Sequence, residues 1–207
     1  MRMSLSMHAP TTMATTALTA LLALAASAFA AEPKDARSAP AARQTPAVGH
    51  FKLIDSLDRP QDGYCLDIVG SGPHIRFDLP MTAHNCKPGL YEDEAVSIEA
   101  NGRIRFPAYN ACATVAGLNG RALPGAAVVP RGCGERTPFL DAEALQRFVI
   151  HDDGRVELHG SGLCMTAGDQ SDSTFDASHR WRSLYMDRCD AIDPARARWH
   201  FVAHEGR

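Results

Sequence analysis

The side chains with the most specific chemistry in this sequence are six cysteines, Cys65, Cys86, Cys112, Cys133, Cys164 and Cys189. Thiols ligate metals, attack electrophiles or oxidise in pairs, and spacing decides among these. No C-x-x-C or H-x-x-x-H partner set stands near them, so a zinc site is not the reading. Catalytic motifs are lacking as well. Gly160-Ser161-Gly162 is not a G-x-S-x-G elbow, no H-E-x-x-H exists, and of the nine histidines only His200 and His204 have ligand-like spacing, as flanks of a final strand. A protein that is not an enzyme is therefore expected. An even number of cysteines fits three disulfides, which requires an oxidising compartment.

The N-terminus supplies a route to one. Arg2 precedes an Ala/Leu-rich run from Ala14 to Ala26, and Ala28-Phe29-Ala30 has the form of an Ala-x-Ala cleavage site. Residues 1–30 are expected to be a signal peptide cleaved after Ala30, leaving a secreted or periplasmic chain. Residues 31–48, small and Pro-containing without apolar periodicity, read as a flexible linker. The chain carries 21 Lys plus Arg against 24 Asp plus Glu, a balance that disfavours a general grip on nucleic acid. Beyond the N-terminus no apolar run is long enough for a membrane span.

From about Gly49 onward, short apolar runs alternate with Gly, Pro, Asn and Asp, the texture of an all-β domain over residues 49–207. The domain repeats itself. Cys65 to Cys112 is 47 residues and Cys112 to Cys164 is 52, while Cys86 to Cys133 is 47 and Cys133 to Cys189 is 56. A gap-free shift of 52 matches Ile98 with Ile150, Gly102 with Gly154, Arg103 with Arg155 and Thr114 with Thr166. The apolar pairs Phe51/Leu53, Val96/Ile98, Phe148/Ile150 and Trp199/Phe201 bracket three units, and their period of two predicts strands with one buried face. Each unit is expected to hold about four short strands, with hairpin turns at Asn101-Gly102 and Asp153-Gly154.

Tyr64-Cys65-Leu66-Asp67-Ile68 opens the first unit, and Glu94-Ala95-Val96, Gln146-Arg147-Phe148 and Ala197-Arg198-Trp199 close the three. With the cysteine spacing, these segments resemble the ricin-type β-trefoil lectin repeat over residues 51 to 203. The resemblance implies a β-trefoil of three ~50-residue repeats, each with an internal disulfide. Because the repeat duplicates a cysteine pair, the expected bonds are Cys65–Cys86, Cys112–Cys133 and Cys164–Cys189.

The resemblance also locates a sugar site. The family's carboxylate position, two residues after the first cysteine, holds Asp67 in unit one and Thr114 and Thr166 in the others. Its stacking position holds His84, Arg131 and Asp187, and its amide pair is replaced by Asp93-Glu94, Leu145-Gln146 and Arg196-Ala197. A lectin with one site in the first repeat follows, at Asp67, His84, Asp93 and Glu94, for a galactose- or xylose-type saccharide and with no cofactor or metal. Erosion of the other two sites supports a rival, a sugar-incompetent trefoil that holds a protein partner such as a toxin or hydrolase subunit. The longer third loop, from Asp169 to Arg182, offers Trp181 as a secondary contact; its Asp169, Asp172 and Asp176 lack the alternate ligands of a calcium loop.

Overall fold

The computed structural model describes residues 46–204. The expected signal peptide, and the linker up to residue 45, lie outside them. The first repeat contributes β1 (Gly49–Leu53), β2 (Tyr64–Asp67) and β3 (Thr82–Asn85). The second contributes β4 (Ser97–Ile98), β5 (Ile104–Phe106), β6 (Ala111–Val115) and β7 (Val128–Gly132), followed by a small hairpin of β8 (Arg136–Thr137) and β9 (Leu140–Asp141). The third contributes β10 (Phe148–Ile150), β11 (Val156–Leu158), β12 (Leu163–Ala167), the short β13 (Asp172–Ser173) and the long β14 (Arg180–Arg188). A final strand, β15 (Trp199–Ala203), returns to pair antiparallel with β1. No helix among the described residues is long and apolar enough to cross a membrane.

The three units are equivalent in bonding as well as in sequence. The backbone N–H of Val96 donates to Gly49 O at 2.9 Å, that of Phe148 to Gly102 O at 3.0 Å, and that of Trp199 to Gly154 O at 2.8 Å. Each bond thus ties the residue closing one unit to a glycine near the start of that unit. The side chains of Val96, Phe148 and Trp199 meet in one buried cluster with Phe51, Ile104 and Val156. The strands that carry them join around this shared core, so the chain is an all-β trefoil of three repeats, and closure leaves few free sheet edges.

Each repeat holds its own disulfide, Cys65–Cys86, Cys112–Cys133 and Cys164–Cys189. The first cysteine sits on the inner strand of a pair and the second just beyond its partner strand, with Cα atoms 5.0, 5.1 and 4.9 Å apart. Cysteine 65, for instance, lies opposite His84 in the β2–β3 register, two residues before Cys86.

Two expectations are corrected. The first repeat has three strands rather than four, because residues 54–63, although they include Asp62-Gly63, carry no alternating apolar run for a strand and form successive turns instead. Ile150, expected on the inward face with Phe148, is 39% exposed, since β10 ends there and the chain turns away from the core.

At both expected hairpins the glycine alone takes the left-handed conformation, with φ +85° at Gly102 and +87° at Gly154, while the Asn101 and Asp153 side chains accept from the backbone N–H two residues on. A Cβ on Gly102 would lie 2.2 Å from Phe148 O, the acceptor side of the closing strand. Gly102→Ala is therefore expected to cost more than ~1 kcal/mol, both by strain at positive φ and by overlap with backbone that has nowhere to move. Urea denaturation measures it, with Gly125→Ala, also at positive φ but open to space, as the strain-only control.

Candidate functional site

Three acids of the first repeat converge because one turn is pinned to one strand. The N–H of Ile68, just past β2, donates to Asp93 O at 3.0 Å, and the N–H groups of Glu94 and Ala95 both donate to Tyr91 O. Val96 then enters the core, so the turn is held from both sides. This places Asp93 and Glu94 beside Asp67 at the end of β2. All three are almost wholly buried. His84 on β3 and His50 on β1 face the same cluster, with His84 Nδ1 3.7 Å from Glu94 Oε1 and His50 Nε2 3.4 Å from Glu94 Oε2.

A residue absent from the sequence-based site stands at its centre. Lys87 follows Cys86, and the Cys65–Cys86 bond fixes it beside β2. Its ammonium donates to Asp67 Oδ2 at 3.0 Å and Asp93 Oδ2 at 2.5 Å, and lies 3.8 Å from Glu94 Oε1. Its backbone N–H also donates to Glu94 Oε2 at 3.0 Å. Asp67, His84 and Glu94 offer ligand atoms within 4.8 Å of one another, a spacing that a cation could use, and the ammonium is the cation they have.

Charge in this cluster is mutually set. Burial drives the Asp67 carboxyl upward, and the neighbouring Glu94 and Asp93 charges add to this against the pull of Lys87, so it is pushed up to about 8. Burial opposes charge on Lys87 and His84, yet the surrounding carboxylates outweigh it and raise both. Burial also opposes the Glu94 carboxylate, but the adjacent His50 and His84 rings and the charge of Lys87 hold it below its ordinary value.

Equivalent positions in the other repeats have become internal scaffolding. Gln146 accepts from the N–H of Gly134 at 2.7 Å, the same bond that Glu94 makes to Lys87, and donates to Thr114 Oγ1 at 2.8 Å. Thr114 and Thr166 are buried and bonded to backbone carbonyls of their own or the closing segment. Glu94 thus takes the structural part that Gln146 takes in the second repeat, and its remaining oxygen faces His84 and the lysine.

In front of this cluster opens a pocket of about 1060 Å³. Asp93, Lys87 and His84 form part of its wall together with Tyr91, which is 51% exposed and lies with its ring centroid 5.9 Å from the Lys87 ammonium. Asp67 and Glu94 do not reach the pocket surface; they stand behind Lys87 and the histidines. Trp181 lies directly across from His84 in the β14–β3 pairing and is half-buried. The third-repeat loop meets this site through His179, edge-on to His84 at 6.1 Å, and through Ser178 O, which accepts from Arg59. Sequence reasoning missed Lys87, Tyr91, His50 and His179.

No family model matches this sequence, and no curated protein matches it either. Among solved structures, it is similar to the agglutinin from Abrus precatorius over 76% of this chain and 48% of that one, at 18% identity and a TM-score of 0.54. It thus spans about half the length of that agglutinin chain. The solution structure of the mdaA-1 domain matches over 77% of this chain and 91% of that domain, at 14% identity and the same TM-score of 0.54. At these identities what the chain shares with both is its fold, the three-repeat β-trefoil.

Proposed function

We propose that this chain is an exported, non-catalytic glycan-binding module with one working site, in its first repeat. The observation that carries the reading is the convergence of an acceptor, a donor and a flat face on one pocket. Asp93 accepts hydroxyl protons. The Lys87 ammonium, with two of its three N–H groups committed to Asp67 and Asp93, has a third to offer a sugar oxygen. This supplies the donor that replacement of the family's amide by Asp93 removed. Tyr91 and His84 offer ring faces for the C–H side of a sugar. Asp67 acts through Lys87, as the anchor that aims it. The name of the Abrus protein, an agglutinin, accords with this reading, as does the pairing of all described cysteines in disulfides, which suits an oxidising compartment.

A glycan array of neutral and acidic saccharides followed by titration calorimetry tests the proposal. Asp93→Ala is expected to abolish measurable binding, because a charge-assisted hydrogen bond is worth ~1.5–3 kcal/mol and a millimolar site has only about 4 kcal/mol to lose. Tyr91→Ala is expected to weaken binding about tenfold, and Thr114→Ala to leave it unchanged. Absence of binding across the array would transfer the fold to the protein-partner reading.

A further inference from the structure

The charged side chains around the pocket are not all paired with one another. Its wall carries two carboxylates, Asp62 and Asp93, and each already has a cation beside it. Asp62 takes two contacts from the Arg59 guanidinium and a third from Asn85 Nδ2. Asp93 is held by Lys87. Behind the wall, Asp67 accepts from the Lys87 ammonium and Glu94 Oε2 from the Lys87 backbone N–H, while Glu94 Oε1 has no hydrogen-bond partner among the described residues.

The cations are not balanced in the same way. Lys52, also on the wall, forms no ion pair among the described residues. It is half-buried on β1, between Cys65 on one side and His200 on the other. Its position is constrained by Gly63, where an added Cβ would come within 2.8 Å of Lys52 Cε and 3.4 Å of its Nζ. The stem therefore lies over a bare stretch of backbone beside the pocket. Across the strand pair, burial and, after it, the Lys52 charge depress the pKa of His200.

We infer that the ligand of this pocket is a glycan carrying an anionic group, a carboxylate or a sulfate ester, and that Lys52 receives that group. The inference rests on the glycan-binding reading and specifies its ligand class. Lys87 and Asp93 serve the hydroxyls that any sugar presents. Lys52 supplies a wall cation without an ion-pair partner among the described residues, and an anionic substituent completes it.

The test uses the mature chain on an array of galactose, N-acetylgalactosamine, xylose oligomers, oligogalacturonate, sialyllactose and galactose 6-sulfate. Calorimetry then compares methyl galactoside with methyl galacturonide and methyl galactoside 6-sulfate, which share a ring and differ at one carbon. At least one acidic probe is expected to bind tenfold or more tightly than the neutral one at 50 mM salt, with the preference shrinking at 500 mM. The two acidic probes separate carboxylate from sulfate recognition. Lys52→Met should bring the acidic probe down to the neutral affinity while leaving the neutral affinity in place, and Lys52→Arg should retain the preference, which guards against a folding artefact. Neutral probes binding as tightly as acidic ones, or a preference that survives Lys52→Met, would overturn the inference and leave the glycan reading standing. No binding to any probe would remove the glycan reading itself.

Discussion

Replacing Lys87 with Met is expected to destabilise the chain by about 3 kcal/mol near pH 8 and by much less near pH 4. Removing the ammonium leaves Asp67, Asp93 and Glu94 buried with no fixed positive charge beside them. The sign with pH follows from the groups themselves. The folded pKa of Asp67 is raised by burial and by its acidic neighbours to about 8, so its contribution is full below the unfolded value near 3.8 and is lost as pH rises toward 8. Without Lys87 its folded value moves higher still, a difference that shows only near pH 8 and above, because below that the carboxyl is protonated in parent and variant alike. Glu94 is shifted the other way, and its contribution, present above its unfolded value and lost on acidification, shrinks when Lys87 no longer supports the charge. Both effects make the variant weakest relative to the parent at high pH. Urea denaturation from pH 4 to 8 measures the difference. A deficit that stays constant across that range would mean that Lys87 contributes packing and not charge. Lys87→Arg, which keeps a cation, should recover part of the loss.

The trefoil was legible because its symmetry is written in residues that survive for geometric reasons. Gly102 and Gly154 keep their register because a Cβ would meet the strand that closes their repeat, and the cysteines keep theirs because each pair staples the same strand geometry. The strand count of the first repeat was less legible, since the threefold pattern predicts a hairpin where the local sequence builds only turns. Within the site, the positions of Asp67, His84, Asp93 and Glu94 could be read from the repeat, but what stands among them could not. Lys87 is 20 residues from Asp67 in sequence, and only the disulfide and the Tyr91–Val96 turn bring them together. A signal existed nonetheless. The residue after the second cysteine is Lys87, Gly134 and Asp190 in the three repeats, and the repeat that has accumulated three acids is the one with a cation there. Contacts from the third-repeat loop, such as His179 with His84, carry no such signal, because they join segments whose spacing the repeat does not constrain.

Trp199→Ala is expected to cost about 4 kcal/mol, the largest loss from any single truncation considered for this chain. Trp199 is 1% exposed, stacks on Phe51 with ring centroids 5.8 Å apart, and donates its indole N–H to Met165 O at 3.2 Å. It stands at the position that Val96 and Phe148 fill in the other repeats, so the three side chains plug the shared core unequally and the tryptophan is the largest of them. Truncation would open a cavity that the neighbouring repeats cannot collapse into, because each is fixed by its own disulfide and closing bond. It would also leave Met165 O without its donor, adding about 1 kcal/mol. Trp199→Phe separates the two contributions by keeping a ring against Phe51 and removing the N–H, and is expected to cost distinctly less than the alanine variant. Since a domain of this size holds roughly 5–15 kcal/mol in total, the alanine variant should still fold at 25 °C but unfold at much lower urea, with an unchanged denaturant slope. Its effect on ligand should be indirect, through β15, which carries His200 and backs Lys52. Affinity measured well below the unfolding transition should therefore fall far less than stability. An alanine variant within 1 kcal/mol of the parent would show that the three repeats do not depend on one common core.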